Sequence, residues 1–470
     1  MRSRRWLPGR TLSEDTMITR ETYATRRQRL TQTVNRPILL VGNGARPRNL
    51  PMSTLPFRQD STFLYFTGCH LTGAALTIID GQSTLYLPQP AEDDALWHGV
   101  SQSIEEMAAN LGFEHARPID RLESDVTSLE GVATLAVPDL AQTQLAARLT
   151  GKDLAFGRKN GDQDLVDAVI SMRRVLSPVE HEQMRTAAKI TRAAHLAAMA
   201  ATRPGAHERE LAAAFQFEVA KAGLTLAYPS IVTVRGEVLH NFEYVNVLEE
   251  GQLLLLDGGA EAATGYATDV TRTWPVSGVF SPRQRAAYDA VLQAQLESID
   301  LVREGTRYRD VHTKSSEVLA TFLADEGLLK CSPSVAVETG AHALFFPHGV
   351  GHLLGLDVHD LENFGDQAAY PPGRRRSTQF GTGYLRLDLD LEPGMVVTVE
   401  PGFYVVPAIL DDPALVDQFS SLVDFEAARQ WVGFGGIRIE DDVVVTPGNP
   451  DVLTADIPKD PDEICAAVGR

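Results

Sequence analysis

Acidic residues at the ends of apolar, strand-like segments are the feature that most constrains this chain. Asp257 follows four consecutive leucines, and Glu400 and Glu440 each end a run of β-branched residues. A carboxylate at the end of a buried strand is costly unless a cationic group lies beside it. The pattern therefore predicts that the fold gathers these acids around positive charge.

A second aspartate, Asp269, follows Asp257 across a turn near residues 263–265. Because the two arms of this turn are about equal in length, we expect Asp257 and Asp269 to lie opposite one another. Like charges at that range repel, so a positive group should lie between them. A metal ion is one interpretation, and a structural ion pair with Arg272 is the other.

The two glutamates repeat the pattern of the two aspartates. Side chains alternate along a strand, so Glu400 shares a side with Thr398, and Glu440 shares a side with Arg438. An exposed strand face would explain either glutamate alone. Two glutamates together with two aspartates predict an oxygen-rich ligand set for two divalent metal ions.

Four of the 12 histidines in the chain accompany these acids. His348 and His352 occur in the motif Pro-His-Gly-Val-Gly-His, where the glycines disfavour a helix and favour a strand or tight loop. His359 follows shortly, and His240 lies on the preceding strand-rich segment. A single histidine is more often a core residue than a ligand, but four near one another indicate a site.

Composition narrows the classes of partner. The 470 residues carry a net charge of −19, from 43 basic and 62 acidic residues, which disfavours nucleic acid and anionic membranes. Three cysteines are too few and too scattered for a disulfide framework. No apolar run approaches the ~18 residues needed to span a membrane. We therefore expect a cytoplasmic protein with two to four domains.

The chain divides into an extension and two domains on pattern alone. Residues 1–19 are interpreted as an amino-terminal extension. Residues 20–165 alternate helical and strand-like segments, with a hairpin at Asp80-Gly81, and predict an α/β domain. Within residues 170–470, two helices followed by strands occur twice, which predicts an α+β domain with a curved antiparallel sheet, outer helices and a site on the inner face. Segments 361–390 and 406–434 are expected to be long loops with little helix.

These motifs resemble the pita-bread metallopeptidases of family M24, in particular the aminopeptidase P and prolidase group. The resemblance runs from about residue 36 to the carboxyl terminus. Its most specific marks are Asp257-Gly-Gly with Asp269-Val-Thr-Arg-Thr, the His348–His352 motif, Leu-Asp-Val-His359-Asp, Glu400-Pro-Gly-Phe-Tyr404 and Ile-Arg438-Ile-Glu440-Asp-Asp. Phe57-Arg-Gln-Asp-Ser and Tyr65-Phe-Thr-Gly resemble the amino-terminal domain of that family.

The resemblance implies how the ligands would divide between two metal ions. Asp257 would bind the first ion alone, and Asp269 and Glu440 would bridge both ions. His352 and Glu400 would complete the second site. The resemblance also implies manganese, although the oxygen-rich donor set leaves cobalt, iron and zinc open.

Further residues acquire roles through the same resemblance. His240 and His359 would face the substrate, and His348 would support the cluster. Arg438 would orient Glu440, and Tyr404 would help to bind the substrate.

The implied chemistry is hydrolysis of a peptide bond that precedes proline. A hydroxide that bridges the metals would attack the carbonyl carbon, and Glu400 would carry a proton to the leaving nitrogen. The free α-amine of a substrate would be attracted to the acidic cluster, so an exopeptidase is expected. Its partners would be short peptides with proline at the second position, and the family implies a homodimer or homotetramer.

Two alternatives stay open at this point. The tail, residues 453–464, resembles aminopeptidase P, whereas segments 361–390 and 406–434 resemble prolidase. Arg386 lies 14 residues before Glu400, where prolidases place an arginine that grips the carboxylate of a dipeptide; a solvated loop arginine is the other interpretation. We expect an Xaa-Pro aminopeptidase, with an Xaa-Pro dipeptidase as the alternative. From another class, a metal-free protein-binding module would share the fold.

Overall fold

The computed structural model describes residues 18–90, 94–100 and 102–469. Residues 1–17 of the expected extension lie outside the described residues. The chain separates into two compact units, one reaching Arg174 and including Leu361–Ala368, the other formed by Val175–Asp360 and the residues from Ala369 onward. No helix among the described residues has both the length and the apolar character that a bilayer-crossing segment needs.

The first unit is built on a five-stranded sheet with the order β4-β3-β2-β1-β5. The strands are β1 (Ile38–Val41), β2 (Ala75–Ile79), β3 (Gln82–Leu87), β4 (His115–Pro118) and β5 (Ala133–Thr134). The helices are α1 (Arg20–Thr33), α2 (Ser61–Thr67), α3 (Asp94–His98), α4 (Ile104–Asn110), α5 (Leu122–Val126), α6 (Leu140–Thr150) and α7 (Gln163–Arg173). The predicted hairpin at Asp80-Gly81 is confirmed, because both turn residues have positive φ and β2 pairs antiparallel with β3.

Two long helix pairs organise the second unit. Its helices are α8 (Pro178–Ala201), α9 (Glu208–Lys221), α10 (Pro282–Ile299), α11 (Tyr308–Asp325), α12 (Pro333–Thr339), α14 (Pro407–Leu410), α15 (Pro413–Phe419), α16 (Phe425–Arg429) and α17 (Pro461–Ala467), and α13 (Asp366–Ala369) joins the units in sequence. Ser177 and Ser281 begin α8 and α10 with a capping box and a proline in the first turn. These local signals explain why both helix starts are visible in the sequence.

Antiparallel strands follow each helix pair, as the sequence predicts. The first set is β6 (Thr225–Leu226), β7 (Ile231–Thr233), β8 (Leu253–Asp257), β9 (Ala260–Glu261) and β10 (Thr271–Pro275). The second set is β11 (Val396–Val399), β12 (Gly402–Tyr404), β13 (Gly436–Arg438), β14 (Asp441–Val444) and β15 (Asp451–Val452). The sheets have the orders β10-β8-β7, β11-β14-β15, β12-β13 and β6-β9.

Two expectations about this unit are wrong in detail. Asp257 pairs with Thr271 rather than with Asp269, because the chain forms β9 and a turn before it reaches β10. Asp269 lies two residues before Thr271, so strand alternation still directs both side chains to the same side of the backbone. Segment 406–434 is not a loop with little helix, since α14, α15 and α16 occupy much of it. Asp412 and Asp424 cap the last two of these helices, a local signal that the length of the segment hid.

Candidate metal centre

The five predicted ligands line one cavity of about 790 Å³ in the second unit. Asp257 ends β8, Asp269 precedes β10, and Glu400 follows β11 directly. Glu440 lies between β13 and β14, and His352 lies on the irregular segment after the second helix pair. The ends of four strands therefore bring carboxylates from distant parts of the chain to the same space.

Three of the ligands are close enough to hold one ion between them. Ligand atoms of Asp269, His352 and Glu440 all lie within 4.8 Å of one another, and all three residues are buried. His352 Nε2 is 3.4 Å from Asp269 Oδ2 and 3.7 Å from Glu400 Oε1. Glu400 therefore extends this cluster on the imidazole side.

Tyr228 joins the remaining ligand to the cluster. Its hydroxyl lies 2.5 Å from Asp257 Oδ1 and also contacts Asp269 Oδ1. The sequence analysis missed Tyr228, because a tyrosine 29 residues before Asp257 has no spacing that marks it as part of a site. The tyrosine shows that the two aspartates converge, although they are not paired in the β-ladder.

Negative charge exceeds positive charge in this cluster. Burial raises the pKa of Glu400 to about 7 and that of Asp257 to about 6, although Arg438 opposes the shift for both. Burial and the neighbouring Asp269 and Glu400 also raise the pKa of Glu440 well above its usual range. Burial and the mutual repulsion of these carboxylates thus oppose ionisation more strongly than the nearby cations favour it.

The same excess of negative charge shifts the pKa of the His352 imidazole. Burial alone would lower the pKa of His352, but a hydrogen bond to Asp269 and the charge of Glu400 raise it to about 9. Burial likewise opposes ionisation of Asp269, but His352 lowers its pKa below the usual range. A proton on the imidazole thus takes the place that a bound cation would occupy electrostatically.

The residues present fit divalent metal ions. Four carboxylates and one imidazole supply the oxygen-rich donor set that such ions prefer, and they surround a single space. Arg438 and, when protonated, His352 are the cations that contact these carboxylates among the described residues, and Arg438 Nη2 donates to Asp257 Oδ2 at 2.6 Å. One guanidinium and one imidazole against four carboxylates leave an excess of negative charge that metal cations would remove.

Hydroxyl groups behind the ligands fix their orientation. Thr271 Oγ1 donates to Glu440 Oε2 at 2.6 Å and accepts from Arg438 Nε at 3.0 Å. Thr398 Oγ1 accepts the backbone N–H of His352 at 3.1 Å. Such outer contacts hold metal ligands in the geometry that binding requires. The predicted effect of Arg438 on Glu440 therefore runs through Thr271.

His348 and Tyr404 lie beside the cluster. His348 Nε2 is 2.9 Å from the Tyr404 hydroxyl, which also accepts from Arg438 Nη1 at 3.1 Å. The Tyr404 side chain is fully buried and is not among the residues that line the cavity. Tyr404 holds His348 and Arg438 from behind, and its contact with substrate stays a prediction.

The remaining candidates face the cavity. His240, His359 and Arg386 line it, together with Phe380 and Tyr384. The His359 ring lies 4.2 Å from the His352 ring, centroid to centroid. His240, His359 and Arg386 thus share one cavity with the candidate metal ligands.

Arg272 does not form the ion pair with Asp257 or Asp269 that was the alternative to a metal site. Arg272 is completely buried, but its Nη2 donates to Asp441 Oδ1 at 2.8 Å rather than to Asp257 or Asp269. The two aspartates therefore do not owe their position to an ion pair with Arg272. The metal interpretation is the one that this arrangement favours.

Comparison with known families agrees with this geometry. Residues 182–447 match the model of Metallopeptidase family M24, and residues 23–135 match Aminopeptidase P, N-terminal domain. The first match covers more than half of the chain. The protein belongs to metallopeptidase family M24, and the family and two-domain fold expected from the motifs are confirmed.

Individual relatives and solved structures are similar to this chain over most of its length. The chain is 36% identical over 406 residues to a probable Xaa-Pro aminopeptidase PEPP of Pyricularia oryzae, covering 85% of this chain and 84% of the relative. Zinc-substituted aminopeptidase P of E. coli in complex with product is 30% identical, with a TM-score of 0.79 and coverage of 96% and 98%. Pseudomonas aeruginosa aminopeptidase PepP is 29% identical, with a TM-score of 0.80 and the same coverage.

Proposed function

We propose that this chain is an Xaa-Pro aminopeptidase, which hydrolyses the bond between an amino-terminal residue and a following proline. The observation that carries the proposal is the convergence of four carboxylates and one imidazole on one cavity in an M24 chain. Relatives named Xaa-Pro aminopeptidase cover most of its length and support the same activity.

We infer that two divalent cations, manganese in the first instance, are the cofactor. Five residues would hold them: Asp257, Asp269, His352, Glu400 and Glu440. When bound there, such ions would lower the pKa of a water molecule and polarise the carbonyl of the peptide. The excess of carboxylates over protein cations is what supports this inference.

The residues of the chain have separate tasks around the scissile bond. The acidic cluster attracts the free α-ammonium group of the peptide and so selects the amino-terminal bond. Glu400 lies in the cluster with an oxygen 3.7 Å from His352 Nε2, and it would take a proton from the attacking water and pass it to the leaving nitrogen. His240 and His359 line the cavity and are placed to donate hydrogen bonds to the carbonyl oxygen as it gains charge.

Arg386 favours a second candidate, an Xaa-Pro dipeptidase. Its side chain lines the same cavity as the metal ligands, where a guanidinium can hold the carboxylate of a dipeptide. An aminopeptidase does not require this contact, because its longer substrates carry the carboxylate further away. The two activities therefore differ in their dependence on Arg386.

A peptide panel tests these proposals. Ala-Pro, Ala-Pro-Ala and Ala-Ala-Ala are incubated with protein that has been stripped of metal and reloaded with manganese, and the products are identified by mass spectrometry. We expect release of alanine from Ala-Pro-Ala, no cleavage of Ala-Ala-Ala, and loss of activity on chelation. Cleavage of Ala-Pro alone would identify the dipeptidase instead, and activity that survives complete chelation would contradict the metal proposal.

Two variants separate the roles of neighbouring arginines. Arg386→Gln should raise KM for Ala-Pro more than for Ala-Pro-Ala if Arg386 grips a carboxylate. Arg375→Gln changes an exposed arginine on the same segment and serves as the matched control. Equal effects of Arg386→Gln on both peptides would argue against a carboxylate contact.

We also propose that the protein is a cytoplasmic homodimer or homotetramer. Light scattering coupled to size-exclusion chromatography measures the assembly, and fractionation of the native cell measures the location. A monomer, or a protein found with membranes, would contradict this proposal.

A further inference from the structure

Glu237 is a carboxylate in the wall of the substrate cavity, outside the set of metal ligands. It lines the cavity of about 790 Å³ and also a neighbouring cavity of about 390 Å³ in the same unit. Its side chain is only 9% exposed. No motif in the sequence marks it, and the hydrolysis described above does not use it.

One oxygen of Glu237 is left without a partner. Oε1 accepts from Arg235 Nε at 2.6 Å, whereas Oε2 is buried and has no hydrogen-bond partner among the described residues. The Arg235 side chain is 57% exposed, so this ion pair is screened by water and contributes little. A buried carboxylate oxygen without a donor is costly, and a ligand that brings a cationic donor recovers that cost.

The position of Glu237 relative to the metal ligands follows from one strand. Arg438, which holds Asp257, lies on β13 two residues after Gly436, a rise of about 7 Å along a strand. The backbone of Gly236 packs directly on that of Gly436, where an added Cβ would come within 2.7 Å of the Gly436 oxygen. Glu237 therefore lies near the start of β13, in the part of the cavity wall next to Gly436.

An apolar surface accompanies this path. Leu239, Val406 and Ile409 line the cavity together with Glu237. Leu239 and Val406 pack against a buried cluster that includes Tyr404. A long side chain with an apolar stem and a charged end fits such a surface, because the stem can contact the aliphatic groups while the charge reaches the carboxylate.

The loop that presents Glu237 is held at both ends. Glu208, fully buried on α9, accepts the backbone N–H of Val234 and that of Asn246, each at 2.9 Å. The Asn246 side chain donates to the same carboxylate. These contacts close the loop between residues 234 and 246, so the wall that carries Glu237 is preorganised before a ligand arrives.

We propose that Glu237 makes the enzyme prefer peptides whose first residue is lysine or arginine. The proposal rests on the aminopeptidase activity proposed above, since the acidic cluster that attracts the α-ammonium group would hold the first residue in the cavity that Glu237 lines. The four-methylene stem of lysine would then lie along Leu239, Val406 and Ile409, with its ammonium group at Glu237.

The test compares two substrates that differ only in the terminal ammonium group of the first side chain. Lys-Pro-Ala and norleucine-Pro-Ala are hydrolysed by the manganese-loaded wild type and by Glu237→Gln, and kcat/KM is measured for each. We expect the wild type to favour Lys-Pro-Ala by about tenfold, the size of one charge-assisted hydrogen bond. Glu237→Gln should bring the ratio close to one, and Glu237→Lys should bring it below one.

Controls separate this inference from the proposed function. Glu243→Gln removes an exposed carboxylate on the same loop and should leave the wild-type ratio unchanged. Thermal melting of each variant verifies that the fold is kept, and the ratio itself is independent of the active fraction. An equal ratio in the wild type, Glu237→Gln and Glu237→Lys would overturn the role of Glu237. Failure to cleave either peptide would instead overturn the aminopeptidase proposal.

Discussion

Glu440 and Asp441 are consecutive buried acids whose pKa values are shifted in opposite directions. Glu440 faces the other carboxylates of the candidate metal centre, and burial together with those charges raises its pKa well above the usual range. Asp441 faces the other way, and although burial opposes ionisation, Arg272 and Lys459 lower its pKa well below the usual range. Asp441 accepts four hydrogen bonds, from Arg272 Nη2 at 2.8 Å, Lys459 Nζ at 2.7 Å, Gln295 Nε2 at 2.6 Å and Thr454 Oγ1 at 2.7 Å.

The difference separates a structural cluster from a functional one. Strand alternation sends the two side chains to opposite sides of the backbone. On one side the protein supplies every partner that the carboxylate needs, so the cluster stabilises the fold. On the other side the protein leaves carboxylates in excess, so the cluster is suited to bind cations. Burial alone therefore does not distinguish a site from a core, whereas the balance of charge does.

The largest expected effect is a loss of activity on substitution of Glu440, which faces the candidate metal centre. Glu440→Gln should lower kcat/KM for Ala-Pro-Ala by about 10³-fold or more, roughly 4 kcal/mol of transition-state stabilisation. The metal-free variant should melt at or above the temperature of the metal-free wild type, because a buried carboxyl group with a raised pKa destabilises the folded state at neutral pH and a neutral amide does not. Steady-state kinetics and thermal melting measure the two effects. Activity within tenfold of wild type would place Glu440 outside the site.

A substitution beside Asp441 should instead lower the free energy of unfolding. Arg272→Met leaves Asp441 buried without its guanidinium partner, and removal of one partner from a buried ion pair costs about 3–5 kcal/mol. Urea denaturation of the two metal-free proteins measures the loss. Arg285→Met removes a partner from the exposed pair with Asp289 and should cost less than about 1 kcal/mol. Similar losses in both variants would erase the contrast between buried and exposed pairs.

A buried histidine outside both clusters should make stability depend on pH. Burial lowers the pKa of His312 from 6.5 to about 3, and neither ring nitrogen has a hydrogen-bond partner among the described residues. Between these values the unfolded chain binds more protons than the folded chain, so stability falls as pH falls. His312→Phe should flatten this dependence by about 1.4 kcal/mol per pH unit, or about 2 kcal/mol between pH 6.5 and 5.

Denaturation curves at several pH values test the role of His312. Above pH 7 the variant and the wild type should differ by a constant amount, because His312 is then neutral in both states. An unchanged slope below pH 6.5 would mean that His312 is protonated in the folded protein. It would then resemble His352, whose pKa is raised to about 9 by Asp269 and Glu400 against the effect of burial.

The smallest effect is expected at Tyr228, which touches two ligands but is not one itself. Tyr228→Phe removes the hydroxyl that joins Asp257 to Asp269. Loss of such an outer contact should weaken metal binding by about tenfold, with the fold unchanged. Titration of the metal-free protein with manganese measures the affinity. Activity that saturating manganese restores would mark Tyr228 as a positioning residue, whereas a loss that persists would assign it a direct part in hydrolysis.

Local signals account for most of what could be predicted. A few neighbouring residues are enough to recognise the starts of α8 and α10, the turn at Asp80-Gly81 and the acids that end strands. The register of Asp257 with Thr271 was missed, because β9 and its turn alter the pairing that arm length alone implies. The helices of segment 406–434 were missed because each one is short.

The chain by itself determined which residues carry the chemistry, since strand alternation, caps and turns depend on neighbours in sequence. Only the tertiary structure decided how those residues are partnered. Thr271 meets Glu440 across 169 positions, and Tyr228 meets Asp269 across 41. Contacts at such separations depend on how sheets and helices pack. Packing also decided that, among the described residues, Glu440 forms no ion pair while Asp441 forms two. The charge deficit that marks the site is a property of the folded protein, because it exists only once distant carboxylates share one buried space.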